Sequence, residues 1–429
     1  MSLGFEQAGF DIVAAVEVDP VHAATHHFNF PNTAVIPRSV VGLTGHAIRT
    51  AAGLGQEAVD VVFGGPPCQG FSLMGHRMLD DDRNRLVREF VRLVEELEAR
   101  AFVFENVKGL TIGRHRMFLE ALVEAFDEAG YHVRIPWRVL NAVHFGVPQD
   151  RERLFLLGAR KDGLLPVYPE PVTVPGNDLL TRTGVRPTPT CQEALEDLPD
   201  AERWEELLIG DSVRATSPKA RSAYARELRC EGPESWHAGY RRVWDPDMLT
   251  SSMRSRHTPI SRERFTATPE GEIEPISRFF KLARSGVCNT LRAGTDAARG
   301  AFTSPRPIHY AFPRCVTVRE MARLHGYPDW FRFHVTKWHG ARQVGNSVPP
   351  PLARAVAAKV REGFGQASVV PDASLDLGDP SLLSMDIGQA ADFWGVPRPS
   401  GRRDRKSGQK KRRQEEIGIT GRLAQRKVS

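Results

Sequence analysis

Cys68 is the residue of this 429-residue chain whose type and surroundings best suit covalent chemistry. It follows a short apolar run at residues 59–63, rich in β-branched side chains, and a Gly-Gly-Pro-Pro turn at residues 64–67. The two prolines stiffen the backbone just before the sulfur, and loops at the carboxyl ends of parallel strands line the ligand crevice of an open α/β sheet. A free cysteine is more often a packing residue, but a thiol at the tip of such a loop is placed to act as a nucleophile.

Glu105 and the pair Arg151 and Arg153 offer acid–base and anion-binding groups to accompany that thiol. Glu105 follows another apolar run at residues 101–104, and a carboxyl group at a strand end beside a nucleophile can serve as a proton donor. Arg151 and Arg153 alternate, so an extended segment would direct both side chains to one face, where two forked guanidinium groups can hold a phosphate and a base carbonyl. Without Cys68, an exposed strand end would be the favoured interpretation of Glu105, and a solvated face is the usual interpretation of an Arg-x-Arg pair.

These groups need an α/β framework to bring them together. Apolar runs predict buried strands at residues 11–18, 35–36, 59–63, 101–104, 132–139 and 154–158. Apolar residues at helical spacing predict helices at residues 47–52, 86–97 and 116–129. Their alternation is typical of a mainly parallel sheet with helices on both faces. In such a sheet Glu17, at the end of the first of these strands, could accept hydrogen bonds from ribose hydroxyls or could simply be solvated.

Composition restricts the class of protein only loosely. The net charge of +6 and the pI of about 9.2 permit nucleic-acid binding without requiring it, and much of the excess lies in the C-terminal tail. The five cysteines form no Cys-x-x-Cys pair and no Cys/His cluster with zinc spacing, so we expect no metal and a reducing, cytoplasmic environment. No apolar run approaches the length of a membrane span, so no membrane partner is expected.

The run at residues 59–72 resembles the nucleophile loop of the DNA (cytosine-5) methyltransferase family, whose hallmark is Pro-Cys-Gln within this longer string. Further strings match in the family's order: Arg-Asn-x-Leu at 83–86, Glu-Asn-Val at 105–107, Gln-x-Arg-x-Arg at 149–153 and Gln-Val-Gly-Asn-Ser-Val-Pro at 343–349. The resemblance covers roughly residues 1–160 and 286–365, and the long nucleophile string is its most specific part.

The resemblance implies a covalent mechanism on an extruded cytosine. The Cys68 thiolate would attack C6, and Glu105 would protonate or hydrogen-bond N3 to stabilise the charge on the ring. Arg153, with Arg151, would hold the cytosine O2 and a nearby phosphate. The activated C5 would then accept the methyl group, and loss of the C5 proton would expel Cys68.

The same resemblance implies that S-adenosylmethionine is the methyl donor and that no metal takes part. Glu17 matches the acidic residue that holds the donor's ribose, and Leu86 matches a residue that contacts the donor. The last motif contributes three further contact positions, Asn346, Ser347 and Val348. Ser39 stands where the family usually has an Asp that contacts the adenine, and its hydroxyl can hydrogen-bond but carries no charge.

We therefore predict an α/β fold, a Rossmann-like S-adenosylmethionine-dependent methyltransferase sheet with an inserted small target-recognition domain. The catalytic domain would comprise residues 1–160 and 286–365, the target-recognition region residues 161–285, and a disordered basic tail residues 366–429. The recognition region is rich in Pro, Arg, Glu and Ser, and its basic cluster suits phosphate contact or, equally, an ordinary solvated insertion: Arg254, Arg256, His257, Arg262 and Arg264.

The chain opens on a predicted helix, whereas a nucleotide-binding α/β half opens with a strand, a Gly-rich loop and then a helix. The family carries a strand and a Phe-x-Gly-x-Gly loop just before the string that matches Ser-Leu-Gly-Phe-Glu here. We therefore expect that the first strand is missing, because the start is assigned too far downstream or the gene is truncated.

The predicted function is DNA cytosine-5 methylation, with duplex DNA as the partner, a possible cognate restriction endonuclease and a monomeric state. Three alternatives stay open on the sequence alone. The same chemistry could act on RNA, although the long basic insertion favours DNA. The chain could be a truncated, inactive DNA-binding remnant. A generic cysteine hydrolase is the third alternative, but it lacks a suitably placed histidine and explains neither Glu-Asn-Val nor Gln-x-Arg-x-Arg.

Overall fold

Most of the predicted site residues lie in the part of the chain that the structure describes. The computed structural model describes residues 1–67, 84–113, 115–176, 184–215, 219–295 and 305–398. Cys68 therefore lies outside the described residues, and its predicted role rests on the sequence.

Strands and helices alternate in the N-terminal part, as predicted. The strands are β1 (Ala14–Val16), β2 (Ala34–Ile36), β3 (Val61–Gly64), β4 (Ala101–Val107), β5 (Tyr131–Val133), β6 (Arg138–Asn141) and β7 (Glu152–Arg160). The helices are α1 (Ser2–Gln7), α2 (Pro20–Asn29), α3 (Gly45–Ala52), α4 (Arg85–Glu96) and α5 (His115–Glu128).

Short elements follow in the middle of the chain and longer helices near its end. The strands are β8 (Thr173–Val174), β9 (Arg186–Pro187), β10 (Val213–Arg214), β11 (Arg241–Arg242), β12 (Met248–Leu249) and β13 (Ser374–Leu375). The helices are α6 (Cys191–Leu195), α7 (Ala223–Leu228), α8 (Pro259–Ala267), α9 (Val318–Leu324), α10 (Lys337–Asn346), α11 (Pro350–Gly363) and α12 (Ile387–Trp394). Within the described ranges, every helix is too short or too polar to cross a bilayer.

Five strands form one mixed sheet in the order β3-β4-β7-β5, with β6 also paired to β7. β3 and β4 run parallel, whereas β7 is antiparallel to β4, β5 and β6. β1 and β2 form a separate parallel pair. The register sets Glu105 opposite Phe155 and Val107 opposite Arg153. Glu105 and Arg153 are therefore diagonal neighbours on one face of the sheet, where their side chains can meet.

Helices cover both faces of this sheet, so its central strand β4 is almost completely buried. Phe102 and Phe104 pack against α4 and α5, whose Phe90 and Phe126 belong to the same apolar cluster. Val103 projects to the opposite face and packs among residues of α1 and α11. The first helix and a helix near residue 350 thus share one layer, which brings distant parts of the chain to the same side of the sheet.

The region at residues 161–285, predicted to recognise the target, shares a hydrophobic core with residues 286–365. Cys191 and Leu228 of the region pack in one cluster with Met321 of α9 and Val344 of α10. Leu3 of α1 joins the same cluster. The predicted boundary at residue 285 therefore crosses a continuous core, and the division into domains stays a prediction.

The predicted disorder of residues 366–429 is wrong for much of residues 366–398. β13 pairs in parallel with β11, and a 3₁₀ helix at Pro380–Leu383 and helix α12 pack against α2. Leu382 and Leu383 are buried with Ala24 and Phe28. Residues 399–429 lie outside the described residues. The Pro- and Gly-rich composition concealed an ordered segment because its few apolar residues are covered by a helix more than 350 positions away.

Candidate functional site

The turn that leads to Cys68 is fixed against the end of β4. Asn106 Nδ2 donates a hydrogen bond to the Pro66 carbonyl oxygen at 2.9 Å. A Cβ on Gly65 would lie 2.5 Å from Glu105 Oε2, so a larger residue here would displace the carboxylate that pairs with Arg153. The backbone two residues before the predicted nucleophile is therefore bonded to the residue next to the predicted proton donor.

Glu105 and Arg153 form an ion pair at this position. Arg153 Nε lies 3.0 Å from Glu105 Oε1, and the two side chains are only 15% and 13% exposed. Burial raises the pKa of Glu105, and the positive charges of Arg153 and Arg151 oppose the rise only in part. A carboxyl group whose protonated form is favoured can donate a proton at neutral pH more readily than an exposed one.

Arg151 is fully buried and contacts backbone instead of facing Glu105. Its Nη1 donates to the Leu291 carbonyl at 2.8 Å, and its Nη2 donates to the carbonyls of Gly345 at 2.8 Å and Ser347 at 2.9 Å. Nη1 is thus bonded to the segment at Leu291, and Nη2 is bonded to the C-terminal end of α10. These contacts differ from those of Arg153, although the sequence had predicted a common task for the two residues.

Gln149, His325 and Ser347 form a buried hydrogen-bonded chain that sequence reasoning missed. Gln149 Nε2 lies 2.9 Å from His325 Nδ1, and His325 Nε2 lies 3.2 Å from the Ser347 carbonyl oxygen. Because an amide nitrogen can only donate, we assign the proton of the imidazole to Nε2. Burial holds the pKa of His325 well below its usual value, so the ring is neutral. No local sequence pattern indicates this series of hydrogen bonds, since Gln149 and His325 are 176 positions apart.

The last motif reaches the start of α1 and the neighbourhood of Glu105. A Cβ on Gly4 would lie 2.5 Å from Ala353 Cβ and 2.6 Å from the Pro350 carbonyl, so α1 and α11 are in close contact. Burial lowers the pKa of the Met1 amino group to about 6, while the charge of the nearby Glu105 opposes this shift. The structure thus brings together segments that the sequence separates by about 350 positions.

The predicted donor-binding residues occupy the ends of three elements. Glu17 is partly buried just beyond β1, and its Oε1 accepts a hydrogen bond from the Asp19 amide at 2.9 Å. Burial raises the pKa of Glu17, and the nearby His22 opposes the rise. Leu86 is partly exposed in the first turn of α4. Asn346 is exposed at the end of α10, which leaves its amide accessible.

Ser347 and Val348 support the backbone beyond Asn346. The Ser347 hydroxyl donates to the Val344 carbonyl at 2.8 Å, its carbonyl accepts from Arg151, and Val348 is buried. A half-buried carboxylate and an exposed amide are groups that fit a ribose diol and other polar groups of a nucleoside. The residues present are therefore compatible with the donor that the resemblance implies.

The predicted basic cluster is largely neutralised within the recognition region. Arg254 pairs with Glu205 at 2.8 Å, Arg262 pairs with Glu202, and Arg264 lies 3.4 Å from Glu274. His257 accepts a hydrogen bond from the Cys315 amide at 3.2 Å. Arg256 is exposed. Arg256 is therefore the most accessible member of the cluster for a contact with phosphate, and that contact stays a prediction.

The four cysteines other than Cys68 are poor nucleophiles. Cys191, Cys288 and Cys315 are buried and Cys230 is half-buried, and all four are free thiols. Burial raises the pKa of Cys191 to about 12 and that of Cys315 to about 11, and it raises the pKa of Cys230 and Cys288 as well. Such thiols are largely protonated at neutral pH. Across the described ranges, no group of three or more His, Cys, Asp or Glu side chains could hold a metal ion.

Comparisons with known proteins identify the family. The model of the C-5 cytosine-specific DNA methylase family matches residues 1–362. The chain is 54% identical over 396 residues to the Type II methyltransferase M.XorII of Xanthomonas oryzae pv. oryzae, covering 92% of this chain and 90% of that protein. It is 32% identical over 364 residues to the Type II methyltransferase M1.HphI of Haemophilus parahaemolyticus, covering 84% and 83%.

A solved structure agrees with the sequence relatives. A prophage-encoded protein of the DNA modification methyltransferase class from E. coli superposes with a TM-score of 0.65 at 30% identity, covering 85% of this chain and 96% of the other. The predicted α/β methyltransferase fold is thereby confirmed. The chain belongs to the C-5 cytosine-specific DNA methylase family.

Proposed function

We propose that this DNA cytosine-5 methyltransferase transfers a methyl group from S-adenosylmethionine to duplex DNA through a covalent adduct of Cys68. The observation that carries the proposal is the Glu105–Arg153 pair, held beside the Gly65–Pro66 backbone that leads to Cys68. The proposed proton donor Glu105, the Arg153 cation and the backbone that leads to Cys68 therefore lie together near the carboxyl end of β4. Membership of the methylase family supports the same reaction.

Glu105 is the proposed acid and Arg153 the proposed anchor of the base. When the Cys68 thiolate bonds to C6 of an extruded cytosine, negative charge spreads to N3 and O2 of the ring. Glu105, whose protonated form is favoured by burial, supplies a proton or hydrogen bond at N3. Arg153 can turn a guanidinium nitrogen toward O2 while Nε stays on Glu105. After C5 is methylated, loss of its proton returns the electron pair that expels the Cys68 thiolate.

Arg151 is proposed as a positioning residue and not as a contact to the base. Its two terminal nitrogens hold the carbonyls of Leu291, Gly345 and Ser347, so they are occupied before any substrate arrives. These bonds fix the last motif beside the segment that carries Arg153. This assignment revises the catalytic role that the sequence predicted for Arg151.

S-Adenosylmethionine supplies an electrophilic methyl group when bound. Glu17 is proposed to hold its ribose, because a carboxylate at the carboxyl end of a parallel strand accepts hydrogen bonds from both hydroxyls. Asn346 is proposed as a polar contact and Leu86 as an apolar one. Ser347 and Val348 are proposed to fix the backbone next to Asn346. The Ser347 hydroxyl donates to the Val344 carbonyl, its carbonyl accepts from Arg151, and Val348 is buried.

The alternatives receive less support. The family model and the Type II relatives favour DNA over RNA and an enzyme over an inactive remnant. A cognate endonuclease in the same restriction–modification system is a proposal that follows from these relatives. The monomeric state and the cytoplasmic location remain predictions of the sequence.

Transfer of a labelled methyl group tests the proposed function directly. The purified protein would be incubated with tritiated S-adenosylmethionine and, in parallel, with unmethylated plasmid DNA and a transfer-RNA pool. We expect label in the DNA, and bisulfite sequencing should place it at cytosines in one sequence context. Label confined to RNA would favour the RNA alternative, and the absence of label together with absent donor binding in calorimetry would favour the remnant.

A further inference from the structure

The C-terminal strap, defined as residues 374–398, begins beyond the part of the chain that the family model matches, which ends at residue 362. We propose that this strap positions the Glu17 turn for binding the methyl donor, and that Trp394 is the residue through which it acts. The inference rests on the proposed function, because it assigns donor binding to Glu17.

The strap is packed along the length of helix α2. Leu382 and Leu383 are buried against Ala24 and Phe28 of that helix. The Gly378 amide donates to the Phe28 carbonyl at 2.8 Å, and a Cβ on Gly378 would lie 2.9 Å from Phe28 Cα. Glycine therefore allows the strap to lie directly on the end of α2, and these contacts hold the helix from outside.

Trp394 bonds to the other end of α2, close to Glu17. Its indole Nε1 donates to the Pro20 carbonyl at 3.1 Å. Pro20 is the first residue of α2, and the preceding residue, Asp19, caps the helix by accepting hydrogen bonds from the Val21 and His22 amides. The Asp19 amide in turn donates to Glu17 Oε1. Trp394 is thus connected through the helix cap to the carboxylate that is proposed to hold the ribose.

The other end of the strap is anchored in the recognition region. β13 pairs with β11, and the Val243 amide donates to the Leu375 carbonyl at 2.9 Å. Arg242 of β11 is buried, pairs with Glu6 of α1 at 2.7 Å and lies over the Trp330 ring at 4.8 Å. A strap fixed firmly at both ends limits the movement of α2 relative to α1. The turn between β1 and α2 is then held in one position before the donor binds, which lowers the entropic cost of binding.

The test compares the wild type with three full-length variants of helix α12. Trp394→Phe removes the indole N–H while keeping an aromatic ring, and Trp394→Ala removes both. Ile387→Ala alters a half-exposed apolar residue at the start of the same helix and serves as the matched control. KM for S-adenosylmethionine, KM for DNA and kcat are measured for each, together with donor binding by calorimetry and Tm.

We expect Trp394→Phe to raise KM and Kd for the donor by about two- to tenfold, the range that loss of one neutral hydrogen bond corresponds to. Trp394→Ala should raise them further, with kcat and KM for DNA changed less than twofold, and Ile387→Ala should match the wild type. A lowered Tm with unchanged donor KM would overturn the inference, because the strap would then serve stability alone. Failure of the proposed function is distinguishable, since the wild-type protein itself would transfer no methyl group to DNA.

Discussion

Replacing Arg151 by Lys separates a positioning role from contact with the substrate. The guanidinium group spans three carbonyl oxygens with two nitrogens, at distances of 2.8, 2.8 and 2.9 Å, inside a fully buried site. A lysine ammonium carries its donors on a single nitrogen and cannot reach the Leu291 carbonyl and the carbonyls at the end of α10 at once. At least one of these two segments would therefore lose its bond to this side chain.

The expected loss of stability follows from these contacts. A hydrogen bond to a charged donor contributes about 1.5–3 kcal/mol, and two of the three are expected to be lost in Arg151→Lys. The net cost should be about 3–5 kcal/mol, in the range measured when a buried charged group loses its partners. For a chain of 429 residues, whose unfolding entropy is about 0.9 kcal/mol/K, that corresponds to a fall in Tm of roughly 3–6 °C. Thermal and urea unfolding, followed by circular dichroism, measure the change.

Arg153→Lys is the matched control. Arg153 is only 15% exposed, but a lysine can keep the charge pair with Glu105, so the free energy of unfolding should fall by less than it does in Arg151→Lys. Its kcat should nevertheless fall, because the fork that can hold Glu105 and O2 together is gone. The reasoning is refuted if Arg151→Lys is as stable as the wild type and loses kcat as strongly as Arg153→Lys does.

Two further predictions concern the acid and the buried histidine. Glu105→Gln should lower kcat by about 10²–10⁴-fold with DNA affinity retained, since the amide cannot supply a proton; single-turnover kinetics with a gel-shift control measure both, and a kcat within threefold of the wild type would exclude Glu105 as the acid. His325 has a pKa held by burial well below 6.5, so the unfolded chain binds a proton that the native state does not. Stability is therefore complete above pH 6.5 and decreases below it by up to about 1.4 kcal/mol per pH unit. His325→Gln should reduce this slope by one proton in urea unfolding between pH 7.5 and 5, and an unchanged slope would show that another group titrates.

Site residues could be predicted from the sequence where a chemically suitable side chain stands next to an apolar run that predicts a strand. Glu105 and Arg153 each end or begin a strongly apolar strand, and the register of two buried strands is restricted to a few possibilities, so their proximity could be predicted. Glu17 could be placed at a strand end for the same reason.

Long-range contacts account for what could not be predicted. The partners of Arg151 are backbone carbonyls 140 to 196 positions away, and backbone carries no sequence signal. The basic cluster was expected to face phosphate because its acidic partners, such as Glu202 and Glu205, lie about 50–60 positions earlier. The composition of the strap predicts disorder because its apolar residues are few and are buried only by contact with α2.

Covalent trapping on a fluorinated substrate tests the central claim most directly. A duplex in which 5-fluorocytosine replaces the target cytosine cannot release the C5 substituent as a proton, so the Cys68 adduct should persist. With S-adenosylmethionine present, the wild type and a Cys230→Ala control should both form a denaturation-resistant complex with this duplex, and Cys68→Ser should form none. An adduct that survives in Cys68→Ser, or a wild type that methylates normal DNA without ever being trapped, would contradict the account.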